Sequence, residues 1–167
     1  MAEQDASQVM TVLSHCRDIE RTCAELYEYY AELFKQNPDI AKLWAKTAAE
    51  ERSHVAQFEM ALRLREALVE TVFQDAGKVV VVLERFIRFL DKVRNEPPTL
   101  EEALCSAIAM EEEVADYHLE SIAKFRQESS RQVFHAMMAA DHDHLEALEE
   151  AYRQLRPLPE DQIDMVA

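Results

Sequence analysis

Two short motifs, Glu51-x-x-His54 and Asp141-x-x-His144, each set a carboxylate and an imidazole three residues apart. On a helix that spacing brings both side chains to one face, so each motif offers an oxygen and a nitrogen to a common point. Two further acids share the setting. Glu20 lies one turn from Cys16 and Cys23 and two from Leu13 and Tyr27, and Glu111 is in line with Leu104, Ile108, Val114 and Ala115. Glu51 and His54 share a face with Trp44, Thr47, Val55 and Phe58, while Asp141 and His144 fall between Phe134, Met137, Met138 and Leu145, Leu148. Burying an unpaired carboxylate costs several kcal/mol, so four on apolar faces need compensation by protons, partner cations or metal ions. Arg17 is the only basic near neighbour. Four carboxylates with two imidazoles form the donor set of a dinuclear site in a helix-bundle core. Oxygen and imidazole donors without thiolate fit iron or manganese, and zinc can occupy such a site.

A single acid-x-x-His is a chance feature of many solvated helix faces; two at equivalent places carry more weight. Glu20 precedes Glu51 by 31 residues and Glu111 precedes Asp141 by 30, the offsets of a repeated helical hairpin. The other histidines, His15, His118, His135 and His142, read as surface or core-edge groups. Met137 and Met138 read as core filling, and Cys16 and Cys23 as small core residues. Tyr27 is either a hydrogen-bond donor to a ligand carboxylate or an ordinary half-buried tyrosine.

The elements that must position these residues follow from periodicity. Val9, Leu13, Cys16, Cys23, Tyr27, Tyr30 and Phe34 mark a first helix over about 6–35. Asn37-Pro38 ends it and caps a second over about 38–70. Gly77 marks a break, and 79–93 predicts a shorter crossover helix closed by Pro97-Pro98. Thr99 and Glu102 have capping-box spacing for a third long helix over about 100–127. Ser129-Ser130 reads as a short connection to a fourth helix ending near 155. Short links within each pair and a long link between them predict an all-α, ferritin-like four-helix bundle: two antiparallel hairpins joined by a long crossover containing a short helix. Residues 1–155 form one domain in this reading, and 156–167 a C-terminal tail. The crossover residues Val79, Val82, Phe86 and Phe89 either cover their own bundle or contact a second copy.

Composition narrows the function further. The 167 residues include one glycine, which excludes phosphate-cradling and dinucleotide loops. Thirty-three acidic against eighteen basic residues leave a formal charge of −15, unsuited to nucleic acid or anionic membrane and attractive to cations. The longest aliphatic run, Val79 to Leu83, is too short to span a membrane. Three cysteines without a C-x-x-C pair, and no signal-peptide pattern at the start, predict a reduced, cytoplasmic protein.

Glu20 with Tyr27 seven residues on, Glu51-x-x-His54, Glu111 and Asp141-x-x-His144 together resemble the ferritin-like domain of the rubrerythrin family over roughly residues 8–155. The resemblance implies a centre of two iron ions, with manganese or zinc as alternatives. Glu20, Glu51, His54, Glu111, Asp141 and His144 would be the ligands, Tyr27 would lie behind them, and no catalytic residue beyond the ligands is expected. It also implies reduction of peroxide or dioxygen, or oxidation of ferrous iron, and a homodimer. This sequence departs from the family pattern in three places. Ile108 stands where peroxide-reducing relatives usually carry another glutamate, Asp141 is one methylene shorter than glutamate, and no cysteine-ligated rubredoxin-like iron domain is present, so electrons would come from a separate donor protein. The rival readings are a non-catalytic protein that stores or delivers metal and a metal-free helical interaction protein.

Overall fold

The structure, a computed structural model, describes residues 6–138 and 144–156. Helix α1 (Ala6–Leu33) turns through residues 34–37 into α2 (Pro38–Arg63). The turn is closed by the Asn37 N–H donating to the Phe34 carbonyl at 2.9 Å. Asn37 then caps α2, its side chain accepting from the Ile40 N–H at 3.3 Å, with Pro38 at the first helical position where its missing N–H costs nothing. A short helix α3 (Arg65–Leu68) leads into strand β1 (Val69–Val72), and the crossover helix α4 (Ala76–Asn95) follows. The capping box forms as the spacing predicts: the Thr99 N–H donates to Glu102 Oε2 at 2.8 Å, the Glu102 N–H donates to Thr99 Oγ1 at 3.3 Å, and α5 (Leu100–Val114) begins there. Beyond α5 come a 3-10 turn (Ala115–Tyr117), α6 (Leu119–Ile122), strand β2 (Ala123–Phe125), α7 (Glu128–Met138) and α8 (His144–Leu155).

Packing makes α1 the central rod. It lies against α2 along its length and against α4 on another side, while α5 pairs with α8, and lighter α1–α5 and α2–α8 contacts close the ring. Val9, Val12, Leu13, Cys16, Ile19, Cys23, Leu26, Tyr27 and Tyr30 of α1 are all buried. Each large apolar side chain so placed contributes about 1.5–3 kcal/mol. The architecture is the ferritin-like helical bundle that the spacing predicts. Among the described residues no helix is long and apolar enough to cross a membrane.

Four local expectations need correction. The second helix stops at Arg63 rather than 70, and the third at Val114 rather than 127. In their place β1 and β2 form an antiparallel ribbon, pairing Val69 with Phe125, Thr71 with Lys124 and Val72 with Ala123. Val69-Glu70-Thr71-Val72 is β-branched at three of its four positions, and its two valines are buried. Such side chains lose rotamer freedom in a helix and fit a half-buried strand. The break near Gly77 lies just before it: Asp75 caps α4 through the Lys78 N–H at 3.0 Å, and Gly77 sits in the first turn, where a Cβ would come within 3.1 Å of Asp75 Oδ1. Ser129 and Ser130 belong to α7 rather than to a connection. The crossover helix covers its own bundle, with Val79, Val82 and Phe86 buried and Phe89 half-buried. Residues 139–143 and the tail 157–167 lie outside the described residues, as do the side chains of Met137 and Met138.

Candidate metal centre

Glu20 on α1 and Glu51 on α2 have no exposed surface, and His54 on α2 and Glu111 on α5 are 3% exposed. Helical periodicity puts them inside: Glu20 follows Cys16 and precedes Cys23 on the buried stripe of α1, and Glu51 and His54 continue the stripe of Thr47 and Trp44. His54 Nδ1 lies 3.4 Å from Glu20 Oε2 and 3.4 Å from Glu51 Oε2. That is long for a hydrogen bond. It equals the separation of about 3.4 Å expected between donors on one tetrahedral ion with bonds near 2.1 Å. Neither oxygen of Glu20 accepts a hydrogen bond among the described residues. Arg17, the nearby cation in sequence, pairs instead with Asp18 at 2.8 Å.

Glu111 is held from across the bundle by Tyr27, whose hydroxyl donates to Glu111 Oε1. Of the two readings of Tyr27, the structure shows the hydrogen-bond donor. Its ring stacks on Trp44 at a centroid distance of 5.6 Å, and Trp44 in turn meets Tyr30 at 5.0 Å, an aromatic wall beside the acids. Cys23 lies among the carboxylates. Burial first, then the charges of Glu51, Glu111 and Glu20, push its thiol pKa well above the ordinary value. Burial and Glu111 do the same to the Tyr27 hydroxyl. Glu51 is pushed up to about 7 by burial and by the charge of Glu20, with His54 opposing. Burial disfavours a charged His54 ring, but the two carboxylates of Glu20 and Glu51, each 3.4 Å away, outweigh it and raise the imidazole to about 11. The cluster therefore holds protons in the places where divalent cations would displace them.

The structure thus brings Glu20, Glu51 and His54 together and places Glu111 with Tyr27 beside Cys23. Asp141 lies outside the described residues; His144 begins α8, but its side chain is likewise outside. Ile108, one turn before Glu111, is half-buried and lines a cleft of about 360 Å³ with Cys105, Glu149, Tyr152 and Arg153.

One histidine read as a core-edge group belongs here. His118 Nε2 lies 3.9 Å from Glu20 Oε1, and its ring centroid is 4.6 Å from that of His54. Glu20, His54 and His118 each offer a donor atom within 4.8 Å of the others. His118 follows Glu111 by seven residues, the spacing of one helical face, and that was the available signal. The chain reaches the site by another route: α5 ends at Val114 and a 3-10 turn carries His118 inward. Carbonyls freed there find donors, Ala115 from the Ser121 hydroxyl at 3.0 Å and Asp116 from the Gln74 amide at 3.1 Å.

Oxygen and imidazole donors that converge from α1, α2 and the turn after α5 fit a divalent metal site, and the orphaned oxygens of Glu20 are the group such an ion would satisfy. The family model described as Rubrerythrin matches residues 12–152, a span that contains every residue named in the site. No curated protein and no solved structure matches the chain.

Proposed function

The chain belongs to the rubrerythrin family, and on that premise we propose that it is a redox-active di-iron carboxylate protein that reduces peroxide or dioxygen, or oxidises ferrous iron. The observation that supports the reading best is the convergence of Glu20, Glu51 and His54 in the buried core, with a Glu20 carboxylate that no hydrogen bond satisfies among the described residues. Glu20, Glu51, His54, Glu111, Asp141 and His144 are the proposed ligands. When bound, two ferrous ions supply two electrons, which with two protons reduce hydrogen peroxide to two waters. The chain's own part is to fix donor geometry, to exclude water with the Tyr27–Trp44–Tyr30 wall, and to hold Glu111 through the Tyr27 hydroxyl. Residues 1–155 act as one domain in this proposal, with a separate electron donor, a homodimeric assembly and a cytoplasmic setting.

Anaerobic ferrous loading of the metal-free chain, followed by peroxide, tests it. The expected result is close to two irons per chain and an oxo-bridged absorption after oxidation; failure of either counts against the proposal. A second reading, metal storage or delivery without turnover, draws on Ile108, which leaves an aliphatic group one turn before Glu111. Bound metal without steady-state peroxide consumption favours it. A metal-free interaction protein predicts instead that chelator leaves the melting temperature unchanged.

A further inference from the structure

Resting on the di-metal reading, we propose that His118 is itself a metal ligand, so that one ion is held by Glu20, His54 and His118. Two donors on one ion at 2.0–2.2 Å stand at most about 4.4 Å apart. The three donors here already lie within 4.8 Å, so closing on a cation needs movements of only tenths of an ångström. At 3.9 Å the His118–Glu20 contact is too long for a hydrogen bond and suits two ligands facing one ion. The ring planes of His118 and His54 are tilted by 51°, so the pair is not a flat stack.

The approach of His118 is built into the backbone. A continuous α5 is given up after Val114, and the turn that replaces it is tied by Ser121 and Gln74. The side chain it delivers is only 15% exposed. Two neutral imidazoles with one carboxylate make this half of the site richer in nitrogen than the acidic residues alone suggest, a donor set that suits iron or zinc before manganese.

Cobalt(II) added to the metal-free full-length chain tests the assignment by proton NMR. Each coordinated imidazole gives an exchangeable N–H line shifted far outside the ordinary range. His118→Ala is expected to lose one such line, keep the others, and bind cobalt about tenfold or more weaker, a loss reached even by outer-shell changes. If that variant does not fold, His118→Gln is read the same way. A variant that retains every shifted line overturns the role of His118 and leaves the site itself standing. A wild-type chain that binds no cobalt overturns the metal reading and the inference with it.

Discussion

At the scale of single residues, Glu51 and Glu20 set two acids side by side where water cannot offset them. In the metal-free chain Glu51 holds a proton to about pH 7, against an ordinary value of 4.5. A raised folded-state pKa adds stability that is present at low pH and lost as pH climbs through the folded value. His54, raised from 6.5 to about 11, acts in the same direction over a higher window. The metal-free chain should therefore melt at a lower temperature at pH 8 than at pH 5.5, and a flat profile would contradict this account. Glu51→Gln removes the charge conflict and leaves the Glu20–His54 pair. It should gain about 1–2 kcal/mol at pH 8, roughly 2–8 °C in a chain of this size, while metal no longer raises the melting temperature as it does in the wild type. Tyr27→Phe removes a buried hydrogen bond to a carboxylate and should cost about 1.5–3 kcal/mol in urea unfolding. Glu20, Glu51, His54 and Glu111 were legible because acids on an apolar stripe are conspicuous. His118 was not, since its neighbours Tyr117 and Leu119 do not distinguish a ligand from the edge of a core.

At the scale of elements, the β1–β2 ribbon joins the end of the first hairpin to the exit from α5. Beyond the ladder, the Phe73 N–H donates to the Ile122 carbonyl at 2.8 Å and the Arg126 N–H to the Leu68 carbonyl at 2.9 Å. Hydrogen exchange should show both amides protected, with a nuclear Overhauser contact between Val72 and Ala123. Rapid exchange with helical contacts across 119–126 would instead restore the continuous third helix. Helices α1, α2, α4 and α5 could be read from caps and apolar spacing, because Asn37-Pro38 and Thr99 with Glu102 act locally. The ribbon could not. Val69–Val72 and Ala123–Phe125 are short, no proline or glycine interrupts them, and their pairing depends on a partner more than fifty residues away. The halves that share spacing in sequence therefore differ in form: a tight turn joins α1 to α2, while a 3-10 turn, a short helix and a strand separate α5 from α7.

At the scale of the whole molecule, net charge and metal binding are linked. A chain of charge −15 draws cations toward it, and the rate of metal uptake should fall as ionic strength rises. Ions that bind the folded chain and not the unfolded one stabilise it by mass action, about 2.7 kcal/mol at a hundred times the dissociation constant. Ferrous or zinc ions should raise the melting temperature under anaerobic conditions, and a chelator should return it to the metal-free value. An unchanged melting temperature would separate this protein from the di-metal members of its family.

The setting of Cys23 has one more consequence. Thiols attack as thiolates, and burial, reinforced by the charges of the neighbouring acids, keeps Cys23 and Cys16 protonated. Only Cys105 is exposed. Iodoacetamide should therefore add a single label to the native chain, at Cys105, and the other two should react only when the bundle opens. Two sulfurs beside a centre proposed to handle oxidants are thus kept inert first by burial and then by the negative charge that draws metal to the pocket, and their alkylation becomes a clock for its opening.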